Sequence, residues 1–306
     1  MTRTTGKICV YFTILFVLFG CSNQPITWTL RLLDISNKYT EVDFDEITNK
    51  IWLSIFQDNS IGIYDFDSAE FSVETLPDEY QQLTTCIANS VWVVTTDKTL
   101  LKQDRQTNSW EVISLENFIF KTCRTLPNGE VVLHSDTRIF FPETFSEVVI
   151  PAFVGGILDF TKDRNQTLWV LTPEGGIWGY SAQSWMKYGD IANADFLYLC
   201  GEDGLCIFGD NSLYRWEKSS GVFSPEKLLA EHPLSIYEYS IVFSPDNRLF
   251  WGTRTNLWSI DESGLKKINL PIGVNRVWAV DTDTRSNLFV LTNLGLFYLD
   301  TPEMTP

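Results

Sequence analysis

Residues Asn165–Trp185 read NQTLWVLTPEGGIWGYSAQSW, and this stretch is the clearest copy of a repeated unit. A polar turn leads into a Leu-Trp strand, a loop containing Thr172 leads into a second strand with Trp178, and a third strand begins near Trp185. The same pattern recurs about every forty residues along the chain. A period of roughly 20–50 residues is typical of solenoids and propellers, in which each unit buries its apolar face against the next.

Seven copies of this unit can be aligned on one anchor residue, the second member of the apolar pair that follows each turn. Successive anchors lie between 37 and 44 residues apart. Each turn holds Asn or Asp within four residues of its anchor, and these residues favour a hairpin between the first two strands of the unit. The anchors are Trp52, Trp92, Val132, Trp169, Cys206, Phe250 and Phe289.

Each complete unit predicts four short strands, but the seventh copy ends before its fourth strand. A strand-like segment without a unit of its own, 26–30, precedes the first copy and could supply the missing strand. We therefore predict an all-β fold, a seven-bladed β-propeller over 26–306, with the last blade closed by the N-terminal strand. A β-sandwich also has short strands, but it does not explain seven similar units or the displaced strand.

The first twenty residues predict a signal peptide. Arg3 and Lys7 form a positively charged start. The apolar run 8–19 that follows is about twelve residues long, whereas a transmembrane helix needs roughly twenty. We therefore assign 1–20 to targeting and expect the rest of the chain to lie outside the cytoplasmic membrane, in the cell envelope.

The signal segment ends in LFGC at 18–21, which resembles the lipobox of bacterial lipoproteins, with Phe19 where a small residue is usual. The resemblance implies cleavage before Cys21 and lipidation of that residue. The segment 21–25 would then be a short linker that holds the propeller close to the membrane. An ordinary secretory signal or an uncleaved short anchor is the alternative.

The chain is strongly acidic, with a formal net charge of −16. Such a charge repels nucleic acid and anionic lipid surfaces. We therefore expect no nucleic-acid partner, and we expect membrane association through the lipid on Cys21 and not through the protein surface. We also expect a monomer.

The repeats resemble those of bacterial extracytoplasmic propellers, namely the propeller repeats of two-component regulators and the streptogramin-lyase-like propellers. The residues that carry the resemblance are LWVLT at 168–172 with GIW at 176–178, LFVLT at 288–292 with GLF at 295–297, and VWVVT at 91–95. The resemblance covers nearly all of 26–300 and specifies the fold much better than an activity, because propellers host many functions.

The lyase resemblance implies a His near the central opening together with a divalent metal ion, and His134 is the residue that could fill this role. Packing at a blade interface is the alternative for His134. Asp43, Asp159 and Asp281 fall near the innermost strands of three units, so they could converge on the axial channel. There they could hold a divalent cation through oxygen ligands, although solvated strand ends are the plainer interpretation. No other cofactor is predicted.

The cysteines and three tryptophans give further expectations. Cys200 and Cys206 flank a short hairpin turn, so a disulfide between them could form. Cys86 and Cys123 stand six and nine residues before their anchors, which predicts different depths and argues against pairing. Trp216, Trp251 and Trp278 fall outside the consensus positions and are candidates for exposed contacts.

We interpret the chain as a lipid-anchored propeller that binds a protein or a small ligand at its loop face. No phosphate loop, zinc motif or nucleophile elbow is present in the sequence. The alternative is a lyase-like or hydrolytic propeller enzyme that uses His134 and a channel cation. Scaffolding within the envelope, similar to the propeller lipoprotein of the outer-membrane barrel-assembly machinery, is a further interpretation.

Overall fold

A computed structural model describes residues 28–33, 39, 41–54, 57–77, 80–105, 107–113, 120, 122–126, 129–200, 204–209, 212–217, 222–226, 241–244, 246, 248–253, 255–261, 264–283 and 285–300. Apart from Pro77, which is in a 3-10 conformation, the described residues form β-strands, turns and irregular segments, and none forms a helix long and apolar enough to cross a membrane. The predicted lipidation site, Cys21, lies outside them.

Seven four-stranded antiparallel sheets make up the fold, and each predicted unit corresponds to one sheet, or blade. Blade 1 contains β2 (Glu41–Asp45), β3 (Lys50–Ser54), β4 (Ser60–Asp65) and β5 (Glu70–Thr75). Blade 2 contains β6 (Gln82–Ile87), β7 (Val91–Thr95), β8 (Leu100–Asp104) and β9 (Ser109–Ile113). Blade 3 contains β10 (Thr122–Thr125), β11 (Val131–His134), β12 (Arg138–Phe141) and β13 (Ser146–Val149).

The second half of the ring repeats this order. Blade 4 contains β14 (Asp159–Lys162), β15 (Leu168–Leu171), β16 (Gly176–Ser181) and β17 (Ser184–Asp190). Blade 5 contains β18 (Ala194–Cys200), β19 (Gly204–Gly209), β20 (Ser212–Glu217) and β21 (Val222–Glu226). Blade 6 contains β22 (Ile241–Phe243), β23 (Leu249–Gly252), β24 (Leu257–Asp261) and β25 (Gly264–Ile268).

Blade 7 is closed by the N-terminal strand, as the displaced segment predicts. It contains β26 (Val277–Thr282), β27 (Leu288–Thr292), β28 (Gly295–Leu299) and, as its outermost strand, β1 (Trp28–Leu33). Trp28 pairs with Leu299 and Leu33 with Gly295. The two ends of the described chain therefore share one sheet, which leaves no open blade in the ring.

The core lies between the blades, as expected of units that cannot bury their apolar faces alone. Seven clusters of buried apolar residues each join two neighbouring blades, one cluster for every interface of the ring. At the interface of blades 1 and 2, for example, Trp52 and Ile61 pack against Val91 and Leu101. The recurring aromatic anchors are thus interface residues.

A hydroxyl group closes the turn between the second and third strands in most blades. The backbone N–H of Gly176 donates to Thr172 Oγ1 at 2.9 Å, and Thr292 Oγ1 donates to the carbonyl of Gly295 at 2.9 Å. Thr95, Ser135 and Thr253 make equivalent bonds across their turns. This local bonding explains why a small hydroxyl residue recurs three positions after the anchor.

Candidate ligand site in the axial channel

The innermost strands surround an axial channel with a volume of about 810 Å³. In every blade, one first-strand residue pairs directly with the anchor of the second strand, so these seven residues stand at one level of the channel. All seven also line it. This channel ring consists of Asp43, Cys86, Arg124, Thr161, Tyr198, Val242 and Asp281.

The lining of the channel extends past the ends of the first strands at one end of the ring, which we call the hairpin rim. The turns that follow the first strands contribute Glu46, Asp163, Arg164 and Asp283 to its lining. The opposite end carries the connections between blades and is called the loop rim. The size of the channel falls in the range of about 300–1,000 Å³ that is typical of small-molecule sites.

Blades 7 and 1 form the acidic side of the channel. Asp43 and Asp281 stand at the same level in these neighbouring blades, and the backbone N–H of Phe44 donates to Asp281 Oδ2 at 2.6 Å. The same side carries Glu41, Glu46 and Asp283. Both ring carboxylates face the lumen while protein surrounds them on their other sides.

This enclosure changes the acidity of both ring carboxylates. Burial raises the pKa of Asp43 well above its ordinary value, and the negative charges of Asp281 and Glu41 raise it further. Burial also raises the pKa of Asp281 to about 7, although hydrogen bonds from the N–H groups of Phe44 and Thr282 oppose the rise. At neutral pH the pair can therefore take up a proton or attract a cationic group.

Asp159 does not join these two carboxylates, contrary to the expectation that all three converge. It pairs with Leu171, two positions beyond the anchor, and so stands at a different level from the ring. Its Oδ2 accepts a hydrogen bond from the N–H of Leu197 at 2.7 Å, and it forms an ion pair with Arg124. Asp159 therefore joins blades 3, 4 and 5 and is buried by these contacts.

Blades 3 and 4, across the ring from the acidic side, carry the basic residues Arg124, Lys162 and Arg164 of the lining together with Asp163, and we call this the basic side. Arg124 belongs to the channel ring, and its guanidinium lies 5.7 Å from the ring centre of Phe160 and 5.4 Å from that of Tyr198. Lys162 forms an ion pair with Glu130 at 2.9 Å, and Arg164 lies at the hairpin rim. These residues are not among the predicted site residues, although Arg124 stands eight residues before its anchor, as Asp281 does, and this shared offset is a signal present in the sequence.

His134 lies in β11, a second strand, and does not line the channel. Its side chain is 6% exposed and packs edge-on against Phe160 of blade 4, with ring centres 5.2 Å apart. Its Nδ1 lies 3.3 Å from the carbonyl oxygen of Ser135. The expectation of a His at the central opening is therefore wrong for His134, which occupies a blade interface.

Both cysteine pairs of the propeller form disulfides. Cys200 and Cys206 are joined across the first hairpin of blade 5, where the sequence allows a bridge. Cys86 and Cys123 are joined between blades 2 and 3, which corrects the expectation against pairing. Cys86 pairs with its anchor and Cys123 with the next residue, so they differ in depth by one position only.

The three tryptophans proposed for exposed contacts are packed. Trp251 is 1% exposed, so the proposal is wrong for this residue. Trp216 is partly buried against Trp169 and Tyr188. Trp278 is partly buried and is covered by Arg276, whose guanidinium carbon lies 3.5 Å from the centre of a Trp278 ring.

Within the described ranges, no group of three or more His, Cys, Asp or Glu side chains is arranged to hold a metal ion. The geometry defines a seven-bladed β-propeller whose axial channel carries acidic groups on one side and basic groups on the other. No protein-family model matches the chain, and no curated protein matches it in sequence.

Solved structures of low sequence identity share the fold. A streptogramin B lyase aligns with a TM-score of 0.67 at 12% identity, covering 89% of this chain and 97% of that one. The extracellular domain of the hybrid two-component system BT3049 from B. thetaiotaomicron aligns with a TM-score of 0.60 at 14% identity, covering 87% and 40%. YCF48 bound to a D1 peptide aligns with a TM-score of 0.62 at 12% identity, covering 89% and 96%. The similar propellers thus include both a lyase and binding proteins, and they support the fold alone.

Proposed function

We propose that this chain is a lipid-anchored binding module of the cell envelope that takes a small ligand of mixed charge into its axial channel. The observation that supports the ligand class is the distribution of charge at one level of the channel. Asp43 and Asp281 stand on one side, and Arg124 stands across the ring. A zwitterion such as a short peptide with free ends matches this arrangement, because its ammonium group favours the ionised form of the two aspartates and its carboxylate can share the guanidinium that pairs with Asp159.

The proposed location rests on the first twenty-one residues. The signal-like segment 1–20 and the lipobox-like sequence at 18–21 support export and lipidation of Cys21. The first described strand of the propeller begins at Trp28, only a short distance along the chain from that residue. Metabolic labelling with a palmitate analogue should mark the wild-type protein and not Cys21→Ala.

A binding role suits this site better than the enzyme alternative built on His134. That reaction would need the imidazole at the lumen, whereas Phe160 packs on it at a blade interface. Ligand binding, in contrast, needs only a shaped cavity with a few oriented polar groups, which the channel provides.

The test compares a library of free tripeptides with the same library acetylated and amidated at its ends. Thermal-shift measurements on the full-length protein in detergent should find free tripeptides that bind at least tenfold more tightly than their blocked forms. Asp283→Asn and Arg164→Gln lie at the hairpin rim, on the acidic and the basic side of the channel, and each should weaken that binding. Lys187→Gln, on the outer strand of blade 4, is the matched control.

Equal binding of free and blocked peptides would overturn the mixed-charge proposal. A separate titration with calcium tests the expectation that aspartates of the channel hold a divalent cation. Calcium binding that disappears in both Asp43→Asn and Asp281→Asn would make the acidic side a cation site and not a recognition site for an ammonium group.

A further inference from the structure

The outermost strands of the seven blades differ in net charge. Counted over their residues, β5 carries two negative charges, β9, β13 and β21 carry one each, and β17 is neutral. Only two outermost strands are net positive. These are β25, with Lys266 and Lys267, and β1, with Arg31. Arg31 turns towards blade 1, where its guanidinium lies 5.5 Å from the ring centre of Phe66 and 5.0 Å from that of Tyr298, so the exposed positive charge of the two strands is that of the lysines. The two strands belong to blades 6 and 7, which are neighbours in the ring.

The described chain begins at the junction of these two strands. The indole Nε1 of Trp28 donates to the carbonyl of Asn269 at 2.8 Å, so the start of β1 lies beside the residue that follows β25. Trp28 is also buried in the same cluster as Ile268. We call this junction, with Trp28, Lys266, Lys267 and the segment 269–276, the seam.

The seam has the surface expected of a membrane contact. Lys266 and Lys267 are both exposed, and Lys267 lies 5.7 Å from the ring centre of Trp258, which still leaves its ammonium at the surface. Ile272, within the segment 269–276, is 76% exposed, the highest value among the exposed large apolar side chains of the described residues. Exposed basic groups on β25, together with an exposed apolar residue in the connection that follows this strand, favour contact with anionic headgroups and the lipid interface.

The length of chain before the seam limits where a lipid on Cys21 can lie. Six residues separate Cys21 from Trp28. Even fully extended, this connection spans only about 25 Å. A lipid at Cys21 therefore keeps the seam close to the bilayer, whichever way the rest of the ring turns.

We propose that the seam of blades 6 and 7 docks on an anionic phospholipid bilayer and fixes the orientation of the propeller. This inference rests on the lipid anchor of the proposed function. The lipid holds the protein at the membrane, and the lysines select which part of the ring turns towards it. The negatively charged outer strands β5, β9 and β13 are repelled by the same surface and face away. The seam lies on the outer edge of the ring, with the segment 269–276 at the loop rim and Trp28 paired with Leu299 at the hairpin-rim end of β28. Docking there therefore does not cover the axial channel.

The experiment places one fluorescent probe at two matched positions of the full-length lipidated protein. Ile272→Cys lies in the connection between blades 6 and 7, and Phe153→Cys lies in the equivalent connection between blades 3 and 4, where Phe153 is 66% exposed. The four propeller cysteines are paired, so the introduced thiol is the reactive one. The protein is reconstituted on phosphatidylcholine vesicles with or without phosphatidylglycerol, and quenching by spin-labelled lipid is measured.

On vesicles with phosphatidylglycerol, the probe at Ile272→Cys should be quenched at least threefold more than the probe at Phe153→Cys. Adding K266Q and K267Q together should bring the ratio towards one, whereas adding Lys187→Gln should leave it unchanged. Equal quenching at the two positions of a membrane-bound protein would overturn the docking alone, and so would a ratio insensitive to the two lysines. If the wild-type protein were instead recovered in the aqueous fraction, this result would contradict the lipid anchor, and the docking that depends on the anchor would be contradicted as well.

Discussion

Asp43 and Asp281 show how a single level of the channel concentrates electrostatic strain. Two carboxyl groups stand at one level of adjacent blades and are largely enclosed by protein, so burial disfavours their ionised forms and the negative charges of neighbouring carboxylates disfavour them further. The folded protein therefore holds protons on these groups at a pH where the unfolded chain has released them. This difference in proton binding makes stability depend on pH.

We predict that the free energy of unfolding falls as the pH rises from about 4, the ordinary pKa of an aspartate, to about 7 and above. The sign follows from the raised pKa values, because the folded state binds more protons than the unfolded state in this window. Asp43→Asn should flatten the dependence and raise stability at pH 8 by on the order of 1 kcal/mol. Urea unfolding at pH 5 and pH 8 measures both effects.

Glu111→Gln, on the outer face of blade 2, is the control for this prediction, because its side chain is exposed. It should leave the pH dependence unchanged. A wild-type protein that gains stability between pH 5 and pH 8, with Asp43→Asn following the same curve, would show that the ring carboxylates are ionised in the folded state.

Gly175 is a second residue whose importance is local. Its φ of +83° suits glycine, and a Cβ atom there would lie 2.0 Å from the carbonyl oxygen of Ile191. The N–H of Ile191 also donates to the carbonyl of Gly175, so neither side can move away freely. The turn of blade 4 is thus pressed against the connection to blade 5.

We predict that Gly175→Ala lowers the free energy of unfolding by about 3 kcal/mol or more, because backbone strain and a backbone clash add together. Gly129→Ala is the matched control, since Gly129 also has a positive φ but no heavy atom within 4 Å of an added Cβ. It should cost only about 1 kcal/mol. Equal losses for the two variants in chemical denaturation would mean that the contact with Ile191 relaxes.

At the scale of the strand, the sequence predicts the number and order of the blades well. It predicts poorly at which level of the channel a given strand residue stands. The anchors and the displaced strand give all seven blades and their closure, because hairpin signals and apolar pairs are local. Distances counted along the chain to an anchor include the turn, however, and turn length varies. The first hairpin of blade 2 encloses 88–90, whereas that of blade 3 encloses 126–130.

This variation explains the two errors of depth. Cys86 and Cys123 differ by three positions when counted from their anchors, yet two of the three come from the longer turn of blade 3. Asp43 stands nine residues before its anchor and Asp159 stands ten before its own, a difference of one position. The strand pairing nevertheless places Asp159 two residues away from the channel ring. The register between two strands is set by their hydrogen-bonded pairing, and counting residues along one strand does not reveal that pairing.

The disulfide between Cys86 and Cys123 joins the first strands of two different blades and closes a loop with a sequence separation of 37. The disulfide between Cys200 and Cys206 lies within one hairpin and closes a loop with a separation of only 6. Loop-closure entropy predicts stabilisation of about 4 kcal/mol for the first bond and about 2 kcal/mol for the second.

We therefore predict that replacing both Cys86 and Cys123 with Ser destabilises the protein about twice as much as replacing Cys200 and Cys206. Urea unfolding of the two double variants, without reductant, gives the comparison. A larger loss for the hairpin pair would show that loop closure is not the dominant contribution of these bonds.

At the scale of the whole molecule, the net charge of −16 conceals an uneven distribution. Composition predicts a body that is repelled by every anionic surface. The fold instead separates part of this charge, placing Asp43 and Asp281 across the channel from Arg124 and Lys162 and placing two lysines on the outermost strand of blade 6. Such separation depends on which strands become neighbours, so it emerges only when the ring is closed.

Closure itself depends on one strand that is distant in sequence from the rest of its blade. In blades 1 to 6 the outermost strand follows the third strand directly, whereas β1 must find β28 across the full length of the chain. Trp28 secures this strand, since its side chain is buried beside Phe297 and its indole bonds Asn269 of blade 6. Loss of this contact should loosen blade 7 from the ring.

We predict that Trp28→Ala lowers the free energy of unfolding by about 3–5 kcal/mol, the usual cost of truncating a buried Trp. It should also make unfolding less cooperative, because an unclosed ring behaves as a linear array in which blades can open separately. Native-state hydrogen exchange should then show faster opening of β26, β27 and β28 than of the strands of blades 2 to 5.

The matched control is Trp185→Ala, at the start of the outermost strand of blade 4, where Trp185 packs against Tyr180. This variant should lose stability without separating the blades, because β17 is tethered to β16 by a short turn. If Trp28→Ala retained a single transition and uniform exchange, the ring would be held by its seven interfaces and not by its closing strand.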